Sequence, residues 1–145
     1  MKKRIILVPI LTIFGLPTSS FADSRQLVEF PEMTRDHMLE NMRDHLLALT
    51  KIQQHLALEE YEKAATVAEN RLGVSSLGGH GTSHMARFKP TSMQQIGTQM
   101  HKAASRFAII VQEGGLEGST PRIAEGLAGV MQQCVACHSS YRVHP

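Results

Sequence analysis

The sequence predicts an all-α fold. The chain has 145 residues with no Trp, two Tyr and five Phe, so its core must consist mostly of Leu, Met, Ile, Val and Ala. Such a composition favours packed helices over sheets. In four segments the apolar residues recur at intervals of three and four, which is the spacing of one helix face. Composition and periodicity together predict four helices, A to D, in one domain.

The first 22 residues predict an export signal that precedes the fold. Lys2, Lys3 and Arg4 come before an apolar run over residues 5–16, and small residues then lead to Ala22. The run is shorter than the roughly 20 apolar residues that span a bilayer, and this order is typical of a cleaved signal peptide. We therefore expect a mature domain of residues 23–145 in the periplasm, without stable membrane insertion. The alternative is an uncleaved membrane anchor.

The charge of the mature chain excludes one class of partner. Without Lys2, Lys3 and Arg4, 12 of the 15 basic residues remain against 13 acidic residues, so the chain is close to neutral. A nucleic-acid-binding domain would carry a basic patch, and none is indicated here.

Helices A and B are predicted in the first half of the domain. Helix A covers residues 33–56, and its apolar stripe consists of Met38, Met42, Leu46, Leu49 and Leu56, with Leu39 and Ile52 at the edges. Helix B covers residues 59–72, and its inner side consists of Tyr61, Ala64, Ala65, Ala68 and Leu72. Gly73 is predicted to end helix B.

Residues 73–90 are predicted to form a long surface loop, because they contain four glycines and a proline and show no steady period. This loop is longer than a compact helical domain needs. Its histidines, His80 and His84, are expected to be exposed. A second metal held by this pair is the alternative.

Helices C and D are predicted after the loop. Thr91 and Gln94 have the spacing of a capping box that would open helix C. The stripe of helix C consists of Met93, Ile96, Met100, Ala103, Ala104, Phe107 and Val111, and the segment EGGLEG closes the helix. Ser119 and Pro121 open helix D, whose stripe consists of Ile123, Leu127, Val130, Cys134, His138 and Tyr141.

The motif CVACH, residues 134–138, contains both cysteines of the chain. A haem bound through thioethers needs two thiols spaced to meet its two vinyl groups and an adjacent imidazole for the iron, and C-x-x-C-H supplies all three. Because residues four apart share a helix face, Cys134 and His138 point towards the core. A redox-active disulfide, expected near a strand-to-helix crossover, and a zinc site shared with His80 and His84 are the alternatives.

The motif and its position resemble those of the class II c-type cytochromes, the cytochrome c′ and cytochrome c-556 group. The pattern C-x-x-C-H-x-x-Y/F-R near the end of the chain is matched through Tyr141 and Arg142, and Arg35 in helix A is a second similarity. The resemblance covers essentially the whole mature chain. It implies an antiparallel four-helix bundle with one covalent haem c between its helices, and dimerisation through helices A and B.

The resemblance also implies roles for individual residues. Cys134 and Cys137 would form the thioethers, and His138 would be the proximal iron ligand. Arg142 would lie near that imidazole or pair with a haem propionate, and Arg35 would lie near a propionate.

The distal side of the haem is expected on helix A. Counting four residues from Arg35 reaches Leu39, which cannot bind iron, whereas counting back from Tyr61 reaches Met42. Met38 and Met42 share a face, so either is a candidate distal ligand, and Met42 is preferred. His45 and His101 are expected to be packed or surface histidines.

Two functions are consistent with these expectations. The first is a periplasmic electron carrier with His/Met ligation, which would exchange electrons with redox partner proteins. The second is a cytochrome c′-like protein with five-coordinate iron that binds NO or CO. An enzyme is not predicted, since no acid, base or substrate cleft can be named.

Overall fold

The computed structural model describes residues 23–79 and 82–144, which are mostly helical, so the all-α prediction is confirmed. The predicted signal peptide and His80 lie outside the described residues. None of the helices in the described ranges combines the length and the apolar character that a membrane span requires.

Four helical segments correspond to the predicted helices A to D. The helices are α1 (Glu32–Ala57), α2 (Tyr61–Val67), α3 (Thr82–Ala86), α4 (Thr91–Glu117) and α5 (Thr120–Ser140). Helix B is α2 together with a π-helical turn over Ala68–Leu72, and it ends before Gly73 as predicted. The loop prediction for residues 73–90 was wrong in part, because this segment contains α3 and a 3-10 turn over Val74–Ser76.

The start of α4 differs from the predicted capping box. Pro90 is the N-cap residue, and no side chain caps the helix. The Gln94 side chain instead donates hydrogen bonds to the carbonyls of Ala86 (3.0 Å) and Lys89 (2.9 Å). Gln94 therefore joins the helix to the segment that precedes it.

The end of α4 shows why two adjacent glycines occur in a helix. The helix continues through Gly114 and Gly115 and ends at Glu117, where Gly118 adopts a left-handed conformation with φ of 70°. A Cβ on Gly115 would lie 2.5 Å from Cγ of Tyr61, and a Cβ on Gly114 would lie 2.9 Å from Cγ1 of Ile123. These glycines permit close helix packing, and the third one ends the helix.

Helix α5 ends one residue earlier than predicted. Tyr141 adopts an extended conformation and, with Arg142, forms the strand β2, which pairs in parallel with β1 (Gln26–Leu27). The Tyr141 ring is buried, and its hydroxyl lies 2.6 Å from Oγ of Ser92. This pairing holds the start of α1 beside the end of α5.

The buried side chains form two clusters. The core cluster lies where α1 and α2 pack together and α2 and α5 pack on α4, and it contains Ala48, Ile52, Ala64, Ala68, Ala104, Phe107, Val111 and Val130 among others. The methionine cluster contains Val28, Met38, Met85, Met93 and Tyr141, with Phe30, Met42, Ile96 and Cys137 packed against it.

The predicted stripe of α1 faces inward, but its residues are not equally buried, because Leu46 borders the open cavity described below. Ile52, expected at the edge of the stripe, is fully buried, whereas Leu46, expected within it, is 67% exposed. Ile52 is buried because α1 packs against α2, where small residues such as Ala64 admit Ile52 into the core cluster.

Candidate functional site

An apolar cavity of about 440 Å³ lies between α1, α4 and α5. The segment that leads into α4 contributes Met85 and Lys89 to its wall. Sites for small molecules and cofactors typically have volumes of about 300–1,000 Å³ and mostly apolar walls. The cavity therefore has the size and lining of a cofactor site.

The three residues of the thiol and imidazole motif all line this cavity from α5. Cys134 packs against the core cluster and its Sγ lies 3.7 Å from the carbonyl oxygen of Val130, while Cys137 packs against the methionine cluster. Both are free thiols. His138 is more exposed than either cysteine. The motif thus presents two half-buried sulfurs and an accessible imidazole to one space.

Burial raises the pKa of both the Cys134 and the Cys137 thiol, and the Lys89 cation partly opposes this effect at Cys137. The thiols are therefore protonated at neutral pH. Redox-active C-x-x-C cysteines typically have lowered pKa values, because a nearby positive charge or a helix N-terminus stabilises the thiolate. The environment here differs from that of a disulfide oxidoreductase.

The candidate distal residues of helix A also line the cavity. Met38, Leu39 and Met42 all contribute to the wall formed by α1. Met38 is 7% exposed and belongs to the methionine cluster, whereas Met42 is half-buried and packs against that cluster. Leu39, reached by counting from Arg35, and Met42, reached by counting back from Tyr61, therefore lie on the same wall of the cavity.

Arg35 and Arg142 are not among the residues that line the cavity. Nε of Arg35 is buried, forms no hydrogen bond within the described part of the chain, and lies 3.9 Å from Oδ1 of Asp36. Arg142 donates to the carbonyl oxygens of His144 (2.6 Å) and Arg25 (3.4 Å). These contacts place Arg142 where β1 pairs with β2.

The cations that do line the cavity are Arg43 and Lys89, and sequence reasoning missed both. Arg43 fell outside the predicted stripe of helix A, and Lys89 fell within the predicted loop, where no periodicity assigns an inner face. No Asp or Glu is found in the described lining. The lining is therefore mostly apolar, and the charged side chains that the structure describes in it are all cationic.

His45 and His101 also belong to the polar part of the lining, together with Asn41 and Gln133. The rings of His45 and His101 meet edge to face, with centroids 6.1 Å apart. Nδ1 of His101 lies 2.8 Å from the carbonyl oxygen of Leu72, so it carries the proton and donates. Burial lowers the pKa of His101, which keeps the ring neutral. His101 thus ties α4 to the end of the π-helical turn.

The zinc alternative depends on His80, which lies outside the described residues. His84 is exposed, and its ring lies 6.5 Å from that of Phe88. Across residues 23–79 and 82–144, His, Cys, Asp and Glu form no group of three or more that could hold a metal.

Gly97 is a further lining residue that sequence reasoning did not single out. It lies inside α4, and glycine inside a helix lowers the stability of that helix by roughly 0.5–1 kcal/mol relative to alanine. A Cβ at this position would have no described atom within 4 Å. Protein packing does not require this glycine, but its small size leaves the helix backbone open to a flat ligand in the cavity.

Comparisons of the chain with protein-family models, with curated proteins and with solved structures found no match. Its function is therefore inferred from the chemistry of the cavity. Among the described residues, that cavity brings together two thiols, three imidazoles, five thioethers and two cations, a set that suits a metal-bearing macrocycle attached through sulfur.

Proposed function

We propose that the protein is a periplasmic monohaem c-type cytochrome that transfers electrons. The observation that carries this proposal is that Cys134, Cys137 and His138 share one apolar cavity with Met38 and Met42. In this proposal the long helices form an antiparallel four-helix bundle of the class II cytochrome type, with one haem c between them.

The residues of the cavity fit haem c. Its volume of about 440 Å³ lies in the range of cofactor sites. Gly97 leaves space beside α4 for the edge of a macrocycle. The two sulfurs lie on adjacent positions of one helix face, from which both can reach the vinyl groups of the same porphyrin.

The side chains have separable tasks. Cys134 and Cys137 hold the macrocycle covalently, and His138 binds the iron as a neutral imidazole. Haem c supplies an iron atom that exchanges one electron between its ferric and ferrous states. The apolar walls limit access of water to the site, which is one means by which a protein tunes a reduction potential.

Met42 is the proposed distal ligand. It lines the cavity while remaining half-buried, whereas Met38 is more completely enclosed by the methionine cluster. A thioether ligand opposite histidine stabilises ferrous iron and raises the potential, as suits an electron carrier.

A second candidate function follows from Leu39, which lines the same wall. If Leu39 rather than a methionine faces the iron, the distal position stays open. The protein would then be a cytochrome c′-like binder of NO or CO.

Optical spectroscopy of protein exported to the periplasm distinguishes these functions. We expect a mass increase of one haem, sharp low-spin bands in the oxidised and reduced states, a methionine-to-iron charge-transfer band, and no change with CO. A high-spin spectrum that shifts with CO would instead support the cytochrome c′-like function. A mature protein with no Soret band would exclude both.

Substitutions then identify the ligand. Met42→Ala is expected to abolish the charge-transfer band and to create CO binding, because it removes the sixth ligand. Met38→Ala should retain the band. Met33→Ala is the matched control, since Met33 lies on the same helix and is 86% exposed. Loss of the band in Met38→Ala alone would assign the ligand to Met38.

A further inference from the structure

Lys89 is a charged residue in a mostly apolar lining. It lines the cavity, and its side chain is largely enclosed rather than extended into solvent. Burial lowers the pKa of Lys89; the Cys137 sulfur opposes that effect, but no carboxylate among the described residues does. Removing an ammonium group from water without an anionic partner is unfavourable. An anion bound in the cavity would compensate the charge of Lys89.

The backbone around Lys89 is held in place. Its N–H donates to the carbonyl oxygen of Ala86 (3.1 Å), and its own carbonyl accepts a hydrogen bond from the Gln94 side chain (2.9 Å). Lys89 thus projects from a fixed corner just before α4. An anchored cation loses less conformational entropy when it binds an anion than one on a free loop does.

Arg43 is the other cation of the lining, but it is an exposed residue of α1. An exposed arginine retains its hydration, so it gains little from an ion pair. The enclosed Lys89 gains more, because a partner would compensate a charge that is already partly removed from water.

We propose that Lys89 binds a carboxylate of the cavity's ligand, which for haem c is one of its two propionates. This inference rests on the proposed function, and it gives Lys89 the role that the sequence had suggested for Arg35 and Arg142. Neither arginine lines the cavity, whereas Lys89 does. Lys89 is therefore a positioning residue for the haem rather than an iron ligand.

The test compares Lys89→Met with Lys102→Met. Both variants lose one positive charge, but Lys102 is an exposed residue of α4 outside the cavity lining. The measurement is the midpoint potential of the holoprotein as a function of pH. A lysine beside a propionate lowers the proton affinity of that carboxylate. We expect a roughly tenfold higher proton affinity in Lys89→Met, so that the pH-dependent region of the potential moves to higher pH.

Other groups contribute to that pH profile in every variant. Within the described part of the chain, the titratable and charged groups that share the cavity with Lys89 are Arg43 and His45 on α1 and His101 on α4. Cys134, Cys137 and His138 on α5 also face Lys89, but in the proposed holoprotein they are bound to the haem and do not titrate. All of these residues are unchanged between the two variants, so the difference between the profiles reports the lost lysine.

The outcomes separate the inference from the proposed function. Wild-type protein without a Soret band would refute both. A holoprotein in which Lys89→Met and Lys102→Met give the same profile would refute the inference alone, as would a change of axial-ligand bands in Lys89→Met. Lys89→Arg, which keeps the charge, should restore the wild-type profile, and Lys89→Gln provides the same test if Lys89→Met does not fold.

Discussion

The core cluster and the methionine cluster are built in different ways. The core cluster contains mainly Ala, Ile, Leu, Phe and Val side chains, with Met100 as its one buried methionine among the described residues, and these side chains are at most 8% exposed. The glycines near the end of α4 let Tyr61 and Ile123 approach that helix closely. The methionine cluster contains Met38, Met85 and Met93 and adjoins the cavity.

The difference shows how one small domain separates stability from binding. Small and β-branched side chains bring helices close together and leave little space. Methionine has a flexible, unbranched side chain that adapts to irregular surroundings. The core cluster therefore stabilises the fold, while the methionine cluster can adjust its walls around a ligand.

Large-to-small substitutions should show the largest contrast between the two clusters. Phe107→Ala should lower the free energy of unfolding by about 3–5 kcal/mol, because Phe107 is 1% exposed in the core cluster. Met93→Ala should lower the free energy of unfolding by only about 2 kcal/mol, because Met93 borders a cavity and the side chains around it can move into the space that it leaves. Urea unfolding followed by far-ultraviolet circular dichroism measures both values. Equal losses would contradict the distinction between the clusters.

Two glycines of α4 provide a smaller contrast within one helix. Gly115→Ala should destabilise the protein by about 1–3 kcal/mol, because its Cβ would meet the Tyr61 ring. Gly97→Ala should stabilise the haem-free protein by about 0.5–1 kcal/mol, since no described atom outside the local helix backbone lies within 4 Å of the added Cβ.

Thermal unfolding of the two glycine variants is the measurement. Gly129→Ala is the control, because Gly129 lies in α5 and its Cβ would also meet no described atom. If Gly115→Ala were as stable as Gly129→Ala, the close contact of α4 with Tyr61 would be refuted.

The pH dependence of stability should show the smallest effect. Burial lowers the pKa of His101 below its ordinary value of 6.5. Above pH 6.5 the ring is neutral in both the folded and the unfolded chain, so protonation of His101 does not affect the free energy of unfolding. Below pH 6.5 the unfolded chain binds the proton more strongly than the folded protein does. Stability should therefore decrease as the pH falls below 6.5, and His101→Gln should reduce this decrease.

His84→Gln is the control for His101, because His84 is exposed. Urea midpoints measured between pH 5 and 8 would check the expectation. Equal pH dependence in wild type and His101→Gln would show that His101 is not the group responsible.

Several features of the fold were predictable because they depend on local spacing. The apolar period along helices A to D reflects 3.6 residues per turn, and the structure confirms helices at these places. The residues at which the helices end were less predictable. Gly114 and Gly115 looked like a helix stop, but close packing against Tyr61 and Ile123 explains them. Tyr141 left the helix because β1, distant in sequence, pairs with it.

The chemistry of the candidate site was determined by the sequence alone. Cys134, Cys137 and His138 lie within five consecutive residues of the chain. Their spacing therefore predicts haem attachment without any knowledge of the fold. The predicted export signal and the near-neutral charge predicted for the chain without it are likewise inferences from the sequence.

Only the tertiary structure decided which other residues meet that motif. The packing of the helices brings Met38, Leu39 and Met42 of α1 to the same cavity as the motif, while Arg35 stays outside its lining. Lys89 reaches the cavity because hydrogen bonds fix the turn before α4. The contacts between the helices join residues far apart in the chain, so no local pattern encodes them. The hydrogen bonds at Lys89 are local, but they belong to a turn without a periodic pattern.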